Sequence, residues 1–267
     1  MAETIPSTKG KKEVDDGRMS LMEHLIELRS RIIKSAVAIA IGAVLGWMLY
    51  DPVLSFLRRP LEDLAQSDNV SADLLVLDPL EGFMLRIKMS AYIGIAVAMP
   101  FLLWQLWRFV SPGLYQNERR YATAFVASAS LLFVMGAGVA YFTLPQALSF
   151  LQSVGGDDLF YQYSPQKYLM LIVYMMLAFG IGFEFPILLV FLQLVGVLKP
   201  QQLRDFRRFG IVIIFVIAAI ITPSADPISL FALSLPMVLF YEISIILGRI
   251  IVRRRAAAVD AVGDDAA

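Results

Sequence analysis

Residues 168–198 read YLMLIVYMMLAFGIGFEFPILLVFLQLVGVL, bounded by Lys167 and Lys199 and interrupted by a single charge, Glu184. A helix needs about 20 mostly apolar residues to cross a hydrocarbon core about 30 Å thick, so this run reads as a membrane span. A carboxylate at that depth costs about 2.5–3.5 kcal/mol on insertion scales, and it therefore faces a partner, a cavity or water rather than lipid. Glu184 is the first candidate functional residue. Pro186, two positions on, removes a helix N–H and frees a backbone carbonyl, so the two residues together predict a polar notch with a kink.

The rest of the chain agrees with a bilayer setting. Of 267 residues, 58% are hydrophobic and 17% charged, with a mean hydropathy of +0.68, which is more apolar than a soluble domain of ordinary make-up. Stretches without charge occur at Ser35–Tyr50, Met89–Trp107, Tyr121–Leu144, Tyr168–Leu198, Phe209–Thr222 and Pro227–Leu247. The sequence thus predicts an all-α polytopic membrane protein with six transmembrane helices, the last two short. As a helix, the Phe209 run reaches only about 21 Å, so the bilayer thins there or the helix ends sit in protein and water. With the N-terminus cytoplasmic, eighteen Lys and Arg fall on the inner face and five outside, which predicts both termini inside. Residues 1–19 and 254–267 are expected to be disordered cytoplasmic tails flanking a domain over 20–253. The acidic residues Glu3, Glu13, Asp15 and Asp16 in the leader argue against a transit peptide, and no small-residue cleavage site follows the first apolar run. Cysteine is absent, so neither disulfides nor a thiolate metal site is expected.

Between the spans, Asp51–Ile87 is the one sizeable outer loop, and its VLSFLRRPL segment (53–61) reads as an interfacial helix. Ser20 and Glu23 fit a capping box that starts a helix. On that helix Glu27 and Arg31 stand four apart, a spacing that allows a simple helix-surface ion pair. After Phe109, Pro112-Gly113 forces a turn, and Glu118 then sits where the positive end of the next helix would stabilise a carboxylate. Two acidic residues among so many cations on one face call for a further reason. His24, the lone histidine, cannot build a metal site without a second ligand and reads as a helix-surface residue. Trp47, Tyr50, Trp104 and Trp107 read as interface anchors. Asp226 followed by Pro227 is a standard helix opening. Glu242 could pair with Arg249 or with other basic side chains. A proton-coupled small-molecule transporter would also explain Glu184, yet no internal repeat is visible. An intramembrane enzyme is disfavoured because the spans contain neither cysteine nor histidine.

The segments His24-Leu25-Ile26-Glu27-Leu28-Arg29-Ser30-Arg31, Pro79-x-Glu81-x-Phe83, Phe109–Arg120 with its PGLYxxER core, Phe183-Glu184-Phe185-Pro186 and Thr222-Pro223-Ser224-Ala225-Asp226 resemble those of the TatC family, the receptor subunits of the twin-arginine protein translocase. The resemblance covers roughly Ser20 to Arg253. It implies a glove-shaped, non-enzymatic protein of the bacterial cytoplasmic (inner) membrane that needs no cofactor or metal. Such a protein recognises folded cargo through signal peptides carrying two consecutive arginines and works with TatA- and TatB-type single-span partners, driven by the proton-motive force. By the same resemblance Glu27 and Glu118 receive the arginine pair, with Arg29, Phe109 and Arg119 around them. Glu184, Pro186, Thr222 and Asp226 are implied to face partner helices. Some members carry glutamine four positions after the aspartate, where this chain has Leu230.

Overall fold

The computed structural model describes residues 21–65, 73–110, 122–156, 161–224 and 226–264, and among these the chain is helical, with no strand. The helices are α1 (Leu21–Met48), α2 (Tyr50–Ala65), α3 (Glu81–Val110), α4 (Ala122–Gly155), α5 (Pro165–Leu194), α6 (Pro200–Asp205), α7 (Arg207–Ile221) and α8 (Pro227–Asp264). Five stretches among the described residues are long and apolar enough to cross a membrane: Met22–Met48, Glu81–Phe109, Thr123–Gly155, Pro165–Leu194 and Pro227–Ile250. The remaining apolar helix, α7, has fifteen residues and a length of about 22 Å, less than the hydrocarbon core.

Helices overrun the charge-free stretches because charge does not stop a helix. α1 already begins at Leu21, through a segment rich in Leu, Glu and Arg, which are good helix formers. α8 continues to Asp264, past the boundary expected at 254. Its RRRAAAV segment is rich in arginine and alanine, residues of high helix propensity. The capping serine expected at position 20 lies outside the described residues, as do residues 1–19.

One end of the bundle carries α2, which extends the predicted 53–61 helix at both ends and runs through Pro60. Proline there leaves the Phe56 carbonyl without its helix donor. The Tyr141 hydroxyl of α4 donates to that carbonyl at 3.1 Å, and the two aromatic rings stack at 4.3 Å. Next to it, the Tyr168 hydroxyl of α5 donates to the Leu57 carbonyl at 3.0 Å. Two phenols thus fasten α2 across the ends of α4 and α5, and Leu57, Leu61 and Leu64 are buried beneath.

α1 and α3 pack antiparallel along one continuous seam. A methyl group added at Gly42 would lie 2.6 Å from the Gly94 carbonyl oxygen, and one at Gly46 would lie 2.5 Å from that of Ser90. Small residues four apart on both helices let the backbones touch, the packing mode that works where lipid offers no hydrophobic drive to association. The same register puts the Arg86 guanidinium over the rings of Trp47 and Tyr50, at 4.9 and 4.7 Å, and, toward the other end, Arg31 against Gln105 and His24 against Phe109. α4 and α5 also meet through glycine, Gly136 lying against the Phe179 backbone.

α5 is the central helix. Leu169, Ile172, Met175, Phe179 and Phe183 are fully buried among Leu144, Leu233, Met237, Ile214 and Ala218. Elsewhere the surface is apolar and exposed, for example at Val44, Met48, Phe142, Ile220 and Leu239, as a lipid-facing surface must be. Trp107 departs from the anchor role read from sequence. It is buried in a cluster with Phe125 and Phe191, ring centroids 4.4 and 5.4 Å away, because α4 and α5 cover the side of α3 on which it sits.

The seam gives a prediction. Gly42→Leu drives a side chain into the α3 backbone and should cost about 1–3 kcal/mol as overpacking, read as a lowered thermal midpoint of the detergent-solubilised protein. Gly138→Ala, where a methyl group meets nothing within 4 Å, should leave that midpoint unchanged or slightly raised.

Candidate functional site

The end of the seam opposite α2 brings together residues that the sequence left apart. Positions 24, 27 and 31 lie along one face of α1, and positions 105 and 109 lie along one face of α3. The His24 imidazole stacks on the Phe109 ring at 4.3 Å with 20° between planes. Arg31 Nε donates to Glu27 Oε1 at 3.0 Å, Arg31 Nη2 donates to the same oxygen, and Arg31 Nη1 donates to Gln105 Oε1 at 3.2 Å. Both charged side chains are largely covered, 15% exposed for Arg31 and 20% for Glu27. Glu27 Oε2 is buried without a hydrogen-bond partner among the described residues. The i,i+4 pair foreseen from spacing therefore exists, but it uses only one carboxylate oxygen. Arg29 is exposed and joins no ion pair among the described residues. Glu118 and Arg119 lie outside the described residues.

Glu184 sits elsewhere, in a groove of about 370 Å³ lined by α3, α4, α5, α7 and α8. Ile181, Glu184, Phe185 and Leu188 present one stripe of α5 to it, facing Trp107, Phe125 and Ile217. Glu184 is the one ionisable residue among those lining it, and its Oε1 is buried without a hydrogen-bond partner. An unsatisfied buried acceptor costs about 1–3 kcal/mol or more when charged. α5 continues through Pro186, whose missing N–H would have paired the Gly182 carbonyl. Gly182 also lines the groove, so the Glu184 carboxyl and the turn that Pro186 deprives of a donor lie at the same otherwise apolar surface.

Thr222 and Asp226 do not join that notch's lining. They shape the turn between α7 and α8. Thr222 ends α7, its hydroxyl donating to the Ala218 carbonyl at 2.7 Å. Asp226, 2% exposed, accepts at Oδ1 from the Ser229 N–H at 2.7 Å, the helix-opening role read from Asp-Pro. Its Oδ2 and the hydroxyls of Ser224 and Ser229 are buried without partners. At the opposite end of α7, Arg207 pairs with Glu242 at 2.5 Å. Glu242's partner is thus Arg207, which the short α7 brings alongside α8, and not Arg249.

Three residues escaped the sequence reading. Gln105 and His24 look like ordinary surface residues until α1 and α3 are docked, and only a helix-pairing register could have revealed them. Glu81 belongs to a motif quoted from the sequence, yet its role was not legible. Its Oε1 accepts from the Ser164 hydroxyl and from the Gln166 N–H at 3.2 Å, while Oε2 accepts from the Leu77 N–H at 3.2 Å. It supplies from α3 the acceptor that Ser164, the N-cap of α5, does not, and so ties the two helix starts together.

The family described as Sec-independent protein translocase protein (TatC) matches residues 23–236. A Sec-independent protein translocase protein TatC of Aquifex aeolicus is 40% identical over 240 residues, 89% of this chain and 98% of that protein. The namesake of Frankia casuarinae is 38% identical over 257 residues, 93% of this chain and 71% of its own length. A crystal structure described as the twin arginine translocase receptor TatC superposes with a TM-score of 0.71 at 39% identity, covering 85% of this chain and 99% of its own.

The turn after α7 yields a second prediction. Asp226→Asn keeps an acceptor for the Ser229 N–H and should leave the melting temperature close to that of the unmodified chain, whereas Asp226→Ala should cost about 0.5–2 kcal/mol through the lost helix cap. Differential scanning in detergent reads both.

Proposed function

We propose that this chain, which belongs to the TatC family of Sec-independent protein translocase proteins, is the subunit that receives twin-arginine signal peptides of folded cargo. The family consists of membrane translocase components, not enzymes. The observation that carries the reading is the carboxylate of Glu27, covered on most sides, one oxygen without a donor among the described residues, one turn from the His24 that stacks on Phe109. A guanidinium is a rigid fork whose charge-assisted bonds to a carboxylate are strong and directional, and its flat face stacks on aromatic rings. A lysine ammonium also donates to a carboxylate but has neither the fork nor the flat face. In this reading Glu118 supplies the second carboxylate, and Arg29 and Arg119 flank the pair.

The chain then crosses the bacterial cytoplasmic membrane six times with both termini cytoplasmic, α7 being the short fifth span of thinned bilayer. The excess of Lys and Arg on the inner loops supports that orientation. The apolar part of the signal peptide lies along the concave face, and TatA- and TatB-type single-span helices gather near Glu184, Pro186, Thr222 and Asp226. What supports this is the groove itself, whose one ionisable lining residue, Glu184, has a carboxylate oxygen without a donor among the described residues. A partner helix with a polar side chain at that depth would satisfy it. The proton-motive force drives the cycle.

Binding of an Arg-Arg signal peptide to the membrane-embedded protein should exceed that of its Lys-Lys counterpart. Glu27→Ala and Glu118→Ala should each weaken the Arg-Arg peptide by about tenfold or more, the equivalent of one charge-assisted bond. Equal binding in every combination rejects the receptor reading.

Site-specific crosslinks from the groove to single-span partners should be lost or displaced in Glu184→Ala. Unaltered crosslinks would remove Glu184 from the partner site.

A further inference from the structure

Glu27 is already in contact with an arginine of its own chain, and the manner of that contact is informative. A free carboxylate and a free guanidinium prefer to pair side by side, two donors to two oxygens. Here Nε and Nη2 of Arg31 both converge on Oε1, and Nη1 is drawn away to Gln105 Oε1 across the seam at 3.2 Å. Oε2 is left buried with no donor. The side-on pairing is imposed from α3, by the residue one turn before Phe109.

We propose that Arg31 and Gln105 are positioning residues that hold the Glu27 carboxylate with one oxygen satisfied and the other, covered and without a donor among the described residues, kept for an incoming guanidinium. This rests on the receptor reading above and deepens it. Arg31 fixes the rotation of the carboxylate and offsets its desolvation while empty. Gln105 keeps Arg31 from closing over both oxygens. The incoming arginine adds to Oε2 rather than displacing Arg31. A guanidinium can donate to a carboxylate and also offer its flat face to an aromatic ring, and Phe109 packs on His24 one turn from Glu27. A lysine ammonium can donate but cannot stack in that way, so the arrangement favours arginine over lysine.

The test uses the full-length protein in nanodiscs and measures the dissociation constants of Arg-Arg and Lys-Lys signal peptides. Gln105→Met, similar in size and without an acceptor, should lower the Arg-over-Lys preference by about tenfold, the worth of one well-placed charge-assisted bond. Gln105→Glu, which keeps an oxygen at the same reach, should restore it. Arg31→Met should weaken the Arg-Arg peptide and also reduce the preference. Folding is read separately by thermal midpoint, and the preference is a ratio measured on folded protein, so a loss of stability alone does not move it. An unaltered preference in both Gln105→Met and Arg31→Met overturns the proposal. So does tighter Arg-Arg binding in Arg31→Met, which would make Arg31 a competitor that has to leave. Glu27→Gln separates the two levels: if it leaves Arg-Arg binding intact, the receptor reading itself falls. If it weakens binding while the Gln105 and Arg31 variants behave as the unmodified protein, only the positioning role falls.

Discussion

The contact of Gly42 and Gly46 with Gly94 and Ser90 is the constraint on which the functional end of the molecule depends. In lipid no hydrophobic gain pulls two apolar helices together, so close backbone approach must supply the association through dispersion and weak polar contacts. That approach fixes more than a distance. Counting away from Gly42 along α1 and from Gly94 along α3, Arg31 and Gln105 are each eleven positions distant, about three helical turns or 16 Å on either helix. They meet because the register set at the glycines is carried without slip through rigid helices. The pairing of His24 with Phe109 and, at the other end, of Arg86 with Trp47 and Tyr50 follows from the same register.

Polar groups at membrane depth divide into two kinds by how their demand for partners is met. Some hold the bundle together by donating to carbonyls of neighbouring helices. Tyr141 and Tyr168 serve carbonyls of α2, Gln193 reaches the Ser244 carbonyl of α8 at 3.1 Å, and Tyr241 donates to the Leu203 carbonyl at 2.7 Å. Each replaces a hydrogen bond to water with one to the protein, and the groups involved are almost fully covered. Glu184 and Glu27 are different. Each keeps a carboxylate oxygen out of solvent with no donor, an arrangement that costs stability in the isolated chain and is repaid only when something else supplies the hydrogen bond. Other buried polar atoms, among them Asp226 Oδ2 and the hydroxyls of Ser224, Ser229 and Ser234, also lack partners among the described residues, but Glu27 and Glu184 are the two glutamates singled out from sequence as site residues whose oxygens do.

Much of the helical plan could be read from the chain because its determinants are local. Long apolar runs and the Asp226-Pro227 opening each act within a few residues, and the structure has helices where they indicate, while the Pro112-Gly113 turn lies outside the described residues. Helix ends were less legible, since Leu, Glu, Arg and Ala continue a helix through charged flanks, as at α1 and α8. Glu27 and Glu184 stood out because a carboxylate among apolar or cationic neighbours needs a reason. Gln105, His24 and Glu81 did not, since their roles arise across 74, 85 and 83 positions of sequence: Gln105 with Arg31, Phe109 with His24, and Glu81 with Ser164. Trp107 misled for the same reason, because its burial depends on Phe125 and Phe191, which belong to other helices.

The last turns of α3 belong to both sites. Gln105 and Phe109 face α1, while Leu103, Leu106 and Trp107 line the groove that holds Glu184. Residues 105 and 107 are about 200° apart around the helix, so one rod presents opposite faces to two recognition surfaces. A rod of this kind does not by itself transmit a signal, since no second arrangement of it is evident and coupling needs a two-state element. What it does is fix spacing. In the proposed reading, a peptide anchored by its basic residues at the end of the α1–α3 seam would have its following apolar residues at a set distance from the groove, since Gln105 and Leu103 are only two positions apart on α3. The separation of the two sites is therefore a property of one helix, held in place on one side by glycines and on the other by the Trp107 cluster.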